Sequence, residues 1–109
     1  LTKPWGDMGS IAAYTIDVTE DANNDLSHYT AFERKTIVGA IRAQLTEQPT
    51  RETKQRKKLR DNPIATWELR AGRYRIFYEV DEVACIVSIM AVGHKVHNTL
   101  WIRGHEVQL

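Results

Sequence analysis

Cationic side chains are concentrated in the middle of this sequence, where they could bind phosphate groups. Residues 51–75 carry nine Lys or Arg against three Asp or Glu, a net charge of +6, although the whole chain of 109 residues carries only +1. The stretch ends in two arginines separated by one residue, Arg73 and Arg75. One concentrated cationic segment in a near-neutral protein is typical of a defined anionic partner. A solvated run of surface charge is the alternative explanation.

Three predicted strands position these cations. Alternating apolar residues and turn formers indicate strands at 66–70, 73–80 and 83–92, with tight turns at 71–72 and 81–82. Such short connections make consecutive strands antiparallel neighbours. The last strand is apolar on both faces, so we expect it in the centre of the sheet.

Side chains alternate along the middle strand, which therefore has two different faces. Arg73 and Arg75 are expected to point to one face, and Tyr74 and Ile76 to the other. If helices cover the tyrosine face, the arginine face remains as a surface that could bind phosphate.

The N-terminal half of the chain predicts one strand and two helices. Residues 11–18 alternate as in a half-buried strand, and residues 20–29 carry apolar side chains at helical spacing. Thr30 and Glu33 fit a capping box that begins a second helix. That helix is expected to end near Gln48 because the next residue is a proline.

The order of these elements defines the expected fold. A strand, a helix pair and a three-strand meander predict an α+β fold: a two-helix hairpin packed on one face of a mostly antiparallel sheet of about four strands. Residues 50–65 are expected to form a loop that could contain one helical turn, and residues 100–109 a small C-terminal hairpin. Residues 1–9 are expected to be a flexible segment before a single domain at 10–109.

Composition argues against several kinds of site. The sequence has no run of about 18 or more apolar residues, so no membrane span is predicted. The single cysteine, Cys85, allows no disulfide within the chain and no cysteine-based metal cage, and we expect it to be a small buried residue. This cysteine usage fits a reducing cytoplasm. Neither a metal ion nor a small-molecule cofactor is expected.

Two ordered motifs give the chain a resemblance to a known family. The run KKLRDNPIATWELRAGRYRIFYEV and the VGHK motif after the next apolar strand resemble the RelE/ParE toxins of bacterial toxin–antitoxin pairs, across residues 11–101. The resemblance implies a cognate antitoxin that holds the toxin inactive. RelE-like members cut messenger RNA in the ribosomal decoding site without a metal ion, whereas ParE-like members poison DNA gyrase.

The resemblance also implies roles for individual residues. Arg75 matches the family's phosphate-binding arginine, whose fork of donors suits the equatorial oxygens of a phosphorane, although an ion pair with Glu79 is the alternative. Lys95 stands where ribonuclease members have a second arginine. Trp101 replaces a tyrosine, so it can stack on a base but cannot exchange a proton. His94 is the candidate for proton transfer because an unperturbed imidazole titrates near pH ~6.5.

The second predicted strand departs from the ribonuclease pattern. Where those members have lysines, this chain has Thr66 and Glu68, and Glu68 could act as a general base or form a surface ion pair. The expected catalytic residues are Arg75, Lys95 and His94. Further side chains are expected to contact RNA, namely Lys54, Arg56, Lys57, Lys58, Arg60, Arg70, Arg73 and Trp101.

The resemblance therefore implies a toxin that is a metal-independent messenger RNA endonuclease acting on the ribosome. The basic run at residues 54–60 would contact the phosphates of ribosomal RNA. Such contacts position a protein without reading sequence. The expected partners are the antitoxin, the ribosome and messenger RNA. The alternative is a non-enzymatic, ParE-like gyrase inhibitor, or a catalytically degenerate homologue that still binds an antitoxin, because Trp101 and the missing lysines depart from the ribonuclease pattern.

Overall fold

A computed structural model describes residues 13–109 of the chain. The expected flexible segment at 1–9 and the start of the expected first strand lie outside the described residues. In chain order the elements are β1 Thr15–Val18, α1 Glu20–Ser27, α2 Ala31–Leu45, β2 Arg56–Lys58, β3 Trp67–Ala71, β4 Tyr74–Asp81, β5 Ile86–Val96, β6 Thr99–Ile102 and β7 His105–Val107. Within this part of the chain no helix is long and apolar enough to cross a bilayer.

The seven strands form one sheet, with β5 at its centre. The order is β2-β3-β4-β5-β6-β7 with antiparallel neighbours throughout, and β1 pairs with β5 in parallel. Strand β5 has β4 along one side and β1 and β6 along the other, as its two apolar faces predict. The expected α+β fold is therefore confirmed, together with the C-terminal hairpin, formed by β6 and β7. The sheet has more strands than expected because β2, β6 and β7 extend it at both edges.

Both helices pack on one face of the sheet, where they build the main core. Thr19 caps α1 by accepting a hydrogen bond from the Ala22 N–H, and the expected capping box of Thr30 and Glu33 begins α2. The buried apolar side chains of the helices are Ala22, Leu26, Ile37, Ile41 and Leu45. They pack against strand residues that include Leu69, Ile76, Tyr78, Val87, Ile89 and Val92. Burial of apolar surface, at about 25 cal/mol per Å², makes this layer the main source of stability.

The other face of the sheet is partly covered by a loop and by the C-terminal hairpin. The buried residues there are Ala65, Phe77, Ala91, Leu100 and Ile102. Asn62 holds the loop before β3, because its Oδ1 accepts hydrogen bonds from the N–H groups of Ile64 and Ala65 at 2.8 and 3.1 Å. The charged side chains of this face lie toward the β3–β4 turn, beyond the small apolar cluster.

The stretch at 50–65 contains a strand where a helical turn was expected. Residues Arg56–Lys58 pair with β3, so the expectation of a helical turn is wrong. The buried Arg56 side chain explains the difference: its Nη1 donates to the Gln44 carbonyl at 2.6 Å and its Nε to the Arg51 carbonyl at 2.9 Å. These hydrogen bonds fasten the segment to the end of α2 and hold it extended beside β3.

Strand β5 begins and ends later than expected. The turn before it includes Cys85, which is partly exposed and has φ of 56°, so the expectation of a buried cysteine within the strand is wrong. At the other end, the strand continues through Gly93, where a Cβ would lie 2.5 Å from the Trp101 carbonyl oxygen. A glycine at this position lets β6 approach closely, and this approach extends the pairing to Val96.

Candidate functional site

Four charged side chains, Glu68, Arg70, Arg75 and Lys95, lie on the sheet face opposite the helices and form what we call the cationic face. Arg70 lies directly opposite Arg75 across β3 and β4, and Arg75 lies opposite Gly93 in β5. Lys95 follows Gly93 by two residues and so points to the same face. Directly opposed like charges destabilise a sheet, so an anion bound between them would relieve repulsion. A groove of about 460 Å³ beside β3 and β5 is lined in part by Glu68, Arg70 and Lys95.

Arg75 is held by the β3–β4 turn. Its Nη1 donates to the carbonyl oxygens of Gly72 and Tyr74 at 2.7 and 2.9 Å. Its Nε is buried and has no hydrogen-bond partner among residues 13–109. Burial lowers the pKa of Arg75, and the neighbouring Arg70 lowers it further while Glu68 opposes the shift. A buried donor without a partner costs about 1–3 kcal/mol, so this guanidinium would gain from an added acceptor.

Glu68 is the carboxylate of the cationic face. Its Oε1 accepts from Arg70 Nε at 2.9 Å, and its side chain is only 7% exposed. The ion pair that the sequence allowed for Glu68 is therefore present. Glu79, the alternative partner of Arg75, instead accepts a hydrogen bond from the Thr66 N–H at 3.1 Å.

Lys95 borders the same groove. Its backbone N–H donates to the Arg73 carbonyl at 2.8 Å, which fixes the end of β5 against the β3–β4 turn. Among the described residues its ammonium forms no ion pair. The structure therefore brings together two of the three residues expected to be catalytic, Arg75 and Lys95.

His94 lies on the opposite face of the sheet, so the expected catalytic group of Arg75, Lys95 and His94 does not converge. The His94 Nδ1 is 2.8 Å from the Tyr29 hydroxyl, and the two rings meet edge to face at 5.7 Å. Burial lowers the pKa of His94, and Arg73 lowers it further. The side chains of β5 alternate, and this alternation places His94 under the helices and not in the cationic groove.

Trp101 also lies away from the cationic face. Trp101 is directly opposite His94 across β5 and β6, so its indole is on the helix side of the sheet. His97 is exposed in the turn after β5, with φ of 56°. Trp101 therefore does not share a face with Arg75, and its expected contact with RNA stays a prediction.

Arg73 lies at the β3–β4 turn and reaches the helix side, so the expectation that it shares a face with Arg75 is wrong. Its Nη2 is 2.6 Å from Glu33 Oε2, and the Tyr74 hydroxyl donates to the same oxygen at 2.9 Å. The Thr30 N–H, Tyr74 and Arg73 together lower the pKa of Glu33 to about 2. The turn allows this geometry because Arg73 is free of the strand alternation that fixes Arg75.

The basic run divides into structural and exposed side chains. Arg56 is buried and bonded to backbone carbonyls, so we assign it the role of fastening β2 to the end of α2 and not RNA contact, in contrast to the sequence-based expectation. Arg60 donates to the Leu109 carbonyl at 2.8 Å but is otherwise exposed. The remaining exposed side chains of the run are Lys54, Lys57 and Lys58. Lysines on an edge strand also discourage aggregation, which is a structural reason for two of them.

Sequence reasoning missed Asp25, a buried carboxylate in α1. It is 3% exposed; its Oδ2 accepts from the Val92 N–H at 3.0 Å and its Oδ1 from Arg103 Nε at 2.7 Å. The available signal was an acidic residue at helical spacing between Ala22 and Tyr29, within the apolar stripe. Asp25 joins α1 to β5 and to the β6–β7 turn. In residues 13–109 no group of three or more His, Cys, Asp or Glu side chains could hold a metal ion.

Comparisons with known proteins agree with this architecture. Residues 16–98 match the family model described as ParE toxin of type II toxin–antitoxin system, parDE. Among solved structures, one chain of the toxin–antitoxin complex RelBE2 from Mycobacterium tuberculosis is similar, with 27% sequence identity and a TM-score of 0.68. The match covers 78% of this chain and 94% of that one. A comparison with curated proteins gave no match.

Proposed function

Because this chain belongs to the ParE toxin family of type II toxin–antitoxin systems, we propose that it is a growth-inhibiting toxin that cleaves messenger RNA. The proposal rests on one observation, the juxtaposition of three cations and one carboxylate on the cationic face. Cleavage of an RNA phosphodiester needs positively charged groups beside the transferring phosphoryl group and a group that removes a proton from the 2′-hydroxyl.

The cations would stabilise the phosphorane. The attacking 2′-oxygen forms a bond to phosphorus as the bond to the 5′-oxygen breaks, and negative charge grows on the equatorial oxygens. Arg75 and Arg70, opposed across the β3–β4 hairpin, would donate to those oxygens. The planar guanidinium groups of these arginines suit this role better than a point charge, because two parallel hydrogen bonds fix the orientation of the phosphate.

Proton transfer would use groups of the same face. Arg70 engages Oε1 of Glu68, so we assign Oε2 as the acceptor of the 2′-hydroxyl proton. Lys95, beside the groove, would give a proton to the departing 5′-oxygen. His94 has no part in this scheme, because the sheet separates it from Arg75 and Lys95.

A cognate antitoxin would hold the toxin inactive. The similar structure of RelBE2 is a toxin–antitoxin complex, and an antitoxin segment with acidic side chains would neutralise the cationic face. Co-purification of the chain with the product of the adjacent open reading frame tests this proposal. Absence of a small acidic partner at that position would count against it.

A non-enzymatic gyrase inhibitor is the second candidate. Two observations favour it: the family model that matches is named for ParE, and His94, the histidine expected to be catalytic, is bonded to Tyr29 on the helix side of the sheet. A toxin of this class would act by binding alone, and Glu68 would then serve only to hold Arg70.

Two assays run in parallel separate these candidates. The purified protein is added to a translating extract, where messenger RNA is mapped by primer extension, and to DNA gyrase with supercoiled plasmid, where cleavage complexes are counted. New cuts in translated messenger RNA with unchanged plasmid support the ribonuclease. Intact messenger RNA together with gyrase-dependent DNA breaks would replace it with the inhibitor.

A further inference from the structure

We propose that Glu33, on the helix side of the sheet, is a positioning residue that sets the geometry of Arg75 on the cationic face. This inference rests on the proposed function, because it concerns the same arginine. Glu33 does not touch Arg75. Its influence passes through the β3–β4 turn, whose residues Arg73 and Tyr74 lie between the two faces.

Glu33 contacts the β3–β4 hairpin and the start of α2 through its two carboxylate oxygens. Glu33 Oε2 receives two donors, Arg73 Nη2 at 2.6 Å and the Tyr74 hydroxyl at 2.9 Å. Its Oε1 accepts from the Thr30 N–H at 3.0 Å, which anchors the carboxylate to the first turn of α2. A side chain fixed at both oxygens leaves the turn little freedom relative to the helix. The Arg73 guanidinium also lies 5.2 Å from the centroid of the Tyr74 ring, so the two donors support each other.

The same turn holds the Arg75 guanidinium and the end of β5. The carbonyl oxygens of Gly72 and Tyr74 hold Arg75 Nη1 at 2.7 and 2.9 Å, and the Arg73 carbonyl accepts the Lys95 N–H at 2.8 Å. Arg73 and Tyr74, which donate to Glu33, thus also supply backbone acceptors. The Tyr74 carbonyl accepts from the Arg75 guanidinium, and the Arg73 carbonyl accepts from the backbone N–H of Lys95. Gly72 has φ of 58°, a left-handed conformation that the turn requires and that glycine adopts without strain.

The charge of Glu33 also affects the arrangement of the arginines. Arg75 lies opposite Arg70, so repulsion would move its guanidinium unless the turn held it. Glu33 draws the neighbouring Arg73 guanidinium to the helix side, away from Arg70 and Arg75. Loss of the Glu33 charge would release Arg73 and loosen the carbonyls that orient Arg75.

A conservative substitution isolates this role. Glu33→Gln keeps a side chain that can complete the capping box but removes the charge that binds Arg73. Glu20→Gln is the matched control, because it removes an exposed acidic side chain from the first turn of the other helix. Each is combined with Arg75→Ala in a double-mutant cycle. The measured quantity is the Kd for a short fluorescein-labelled single-stranded RNA, at constant salt concentration.

The cycle has a definite expected result. Arg75→Ala should weaken RNA binding about tenfold, and Glu33→Gln should weaken it about threefold in the wild-type background but not in the Arg75→Ala background. Glu20→Gln should leave the Kd unchanged in both the wild-type and the Arg75→Ala backgrounds. An equal loss with Glu33→Gln in both backgrounds, or no loss in either, would overturn the positioning role.

An NMR measurement separates this inference from the proposed function. The Arg75 Nε–H resonance, assigned by its disappearance in Arg75→Ala, should shift in Glu33→Gln and stay in place in Glu20→Gln. If Arg75→Ala leaves RNA affinity unchanged, the proposed function fails, while a shifted resonance would still support positioning of Arg75 by Glu33. An unshifted resonance would contradict the positioning role whatever the RNA affinity.

Discussion

Arg75 and His94 belong to adjacent residue pairs of β4 and β5, Arg75 with Gly93 and Tyr74 with His94, yet their side chains extend to opposite faces of the sheet. Arg75 joins Arg70 and Lys95 on the cationic face, and His94 bonds Tyr29 under the helices. The separation means that substitutions at these two positions should have different consequences. Arg75 should affect ligand binding and chemistry, whereas His94 should affect stability.

The stability of the fold should depend on pH through His94. Burial and Arg73 lower its pKa below 6.5 in the folded protein. The unfolded chain therefore binds more protons in this range, and the free energy of unfolding should fall as the pH is lowered through 6.5. His94→Gln should flatten this slope, which urea unfolding at a series of pH values would measure.

Tyr29→Phe provides the control for His94. Burial raises the pKa of Tyr29 to about 12, so its hydroxyl stays protonated and can donate to a neutral imidazole. Its removal should cost about 0.5–1.5 kcal/mol near pH 7.5. The pH slope should remain, because His94 stays partly buried. If the pH dependence of the unfolding free energy is unchanged in His94→Gln, a group other than His94 is responsible for it.

Asp25 should contribute more to stability than any other carboxylate of α1. Asp25→Asn would remove a charged acceptor from Arg103 and from the buried Val92 N–H, at a cost of about 2–3 kcal/mol. Asp21→Asn is the matched control, because Asp21 is 79% exposed and lies 3.8 Å from the same arginine. Its loss should cost less than about 0.5 kcal/mol. Denaturant midpoints of the two variants compare them directly, and equal midpoints would contradict the role of Asp25.

Two glycines should respond to alanine in opposite ways. At Gly93 a Cβ would meet the Trp101 carbonyl at 2.5 Å and Ile102 Cγ1 at 2.8 Å, so Gly93→Ala should destabilise the fold by about 1–3 kcal/mol. At Gly39, an exposed helical position, no atom lies within 4 Å of the added Cβ. Gly39→Ala should stabilise by about 0.5–1 kcal/mol. Thermal unfolding of both variants measures the two stability changes. If Gly93→Ala leaves the stability unchanged, β6 can move away from β5 to make room for the added methyl group.

Lys57 should contribute to the salt dependence of RNA binding. It is exposed on β2 and lies opposite Glu68, on the cationic side of the sheet, and each phosphate that a lysine neutralises should contribute about one unit to the slope of log K against log salt. Lys57→Gln should reduce the slope by about one, without changing the fold. Lys35→Gln, an exposed lysine of α2, is the control and should leave the slope unchanged. Equal slopes for wild type and Lys57→Gln would remove β2 from the binding surface.

The sequence was sufficient for the order of the helices and of the strands other than β2, because each of their signals is local. The capping box at Thr30 and Glu33 and the alternation around Ile76 depend only on neighbours within a few residues, and both are present in the structure. Strand β2 was missed because its pairing depends on Arg56 reaching carbonyls at Gln44 and Arg51, outside its own segment.

The site was predictable only in part. Arg75 and Lys95 could be placed together because both follow a strand motif, but the face of His94 depends on where alternation resumes after the bulge near Met90 in β5. The second role of Glu33 had no local signal. Its partners Arg73 and Tyr74 are 40 and 41 residues away, and only the folded sheet brings them to the carboxylate.

Cleavage of messenger RNA in a translating extract tests whether Arg75 on the cationic face carries out the chemistry. Wild type, Arg75→Ala and His94→Gln are added at equal concentration, and cut sites are mapped by primer extension. We expect cuts with wild type, their loss by a factor of about 100 or more with Arg75→Ala, and nearly unchanged cuts with His94→Gln at pH 7.5. Cuts that survive Arg75→Ala but disappear with His94→Gln would place the chemistry on the opposite face of the sheet and contradict this expectation.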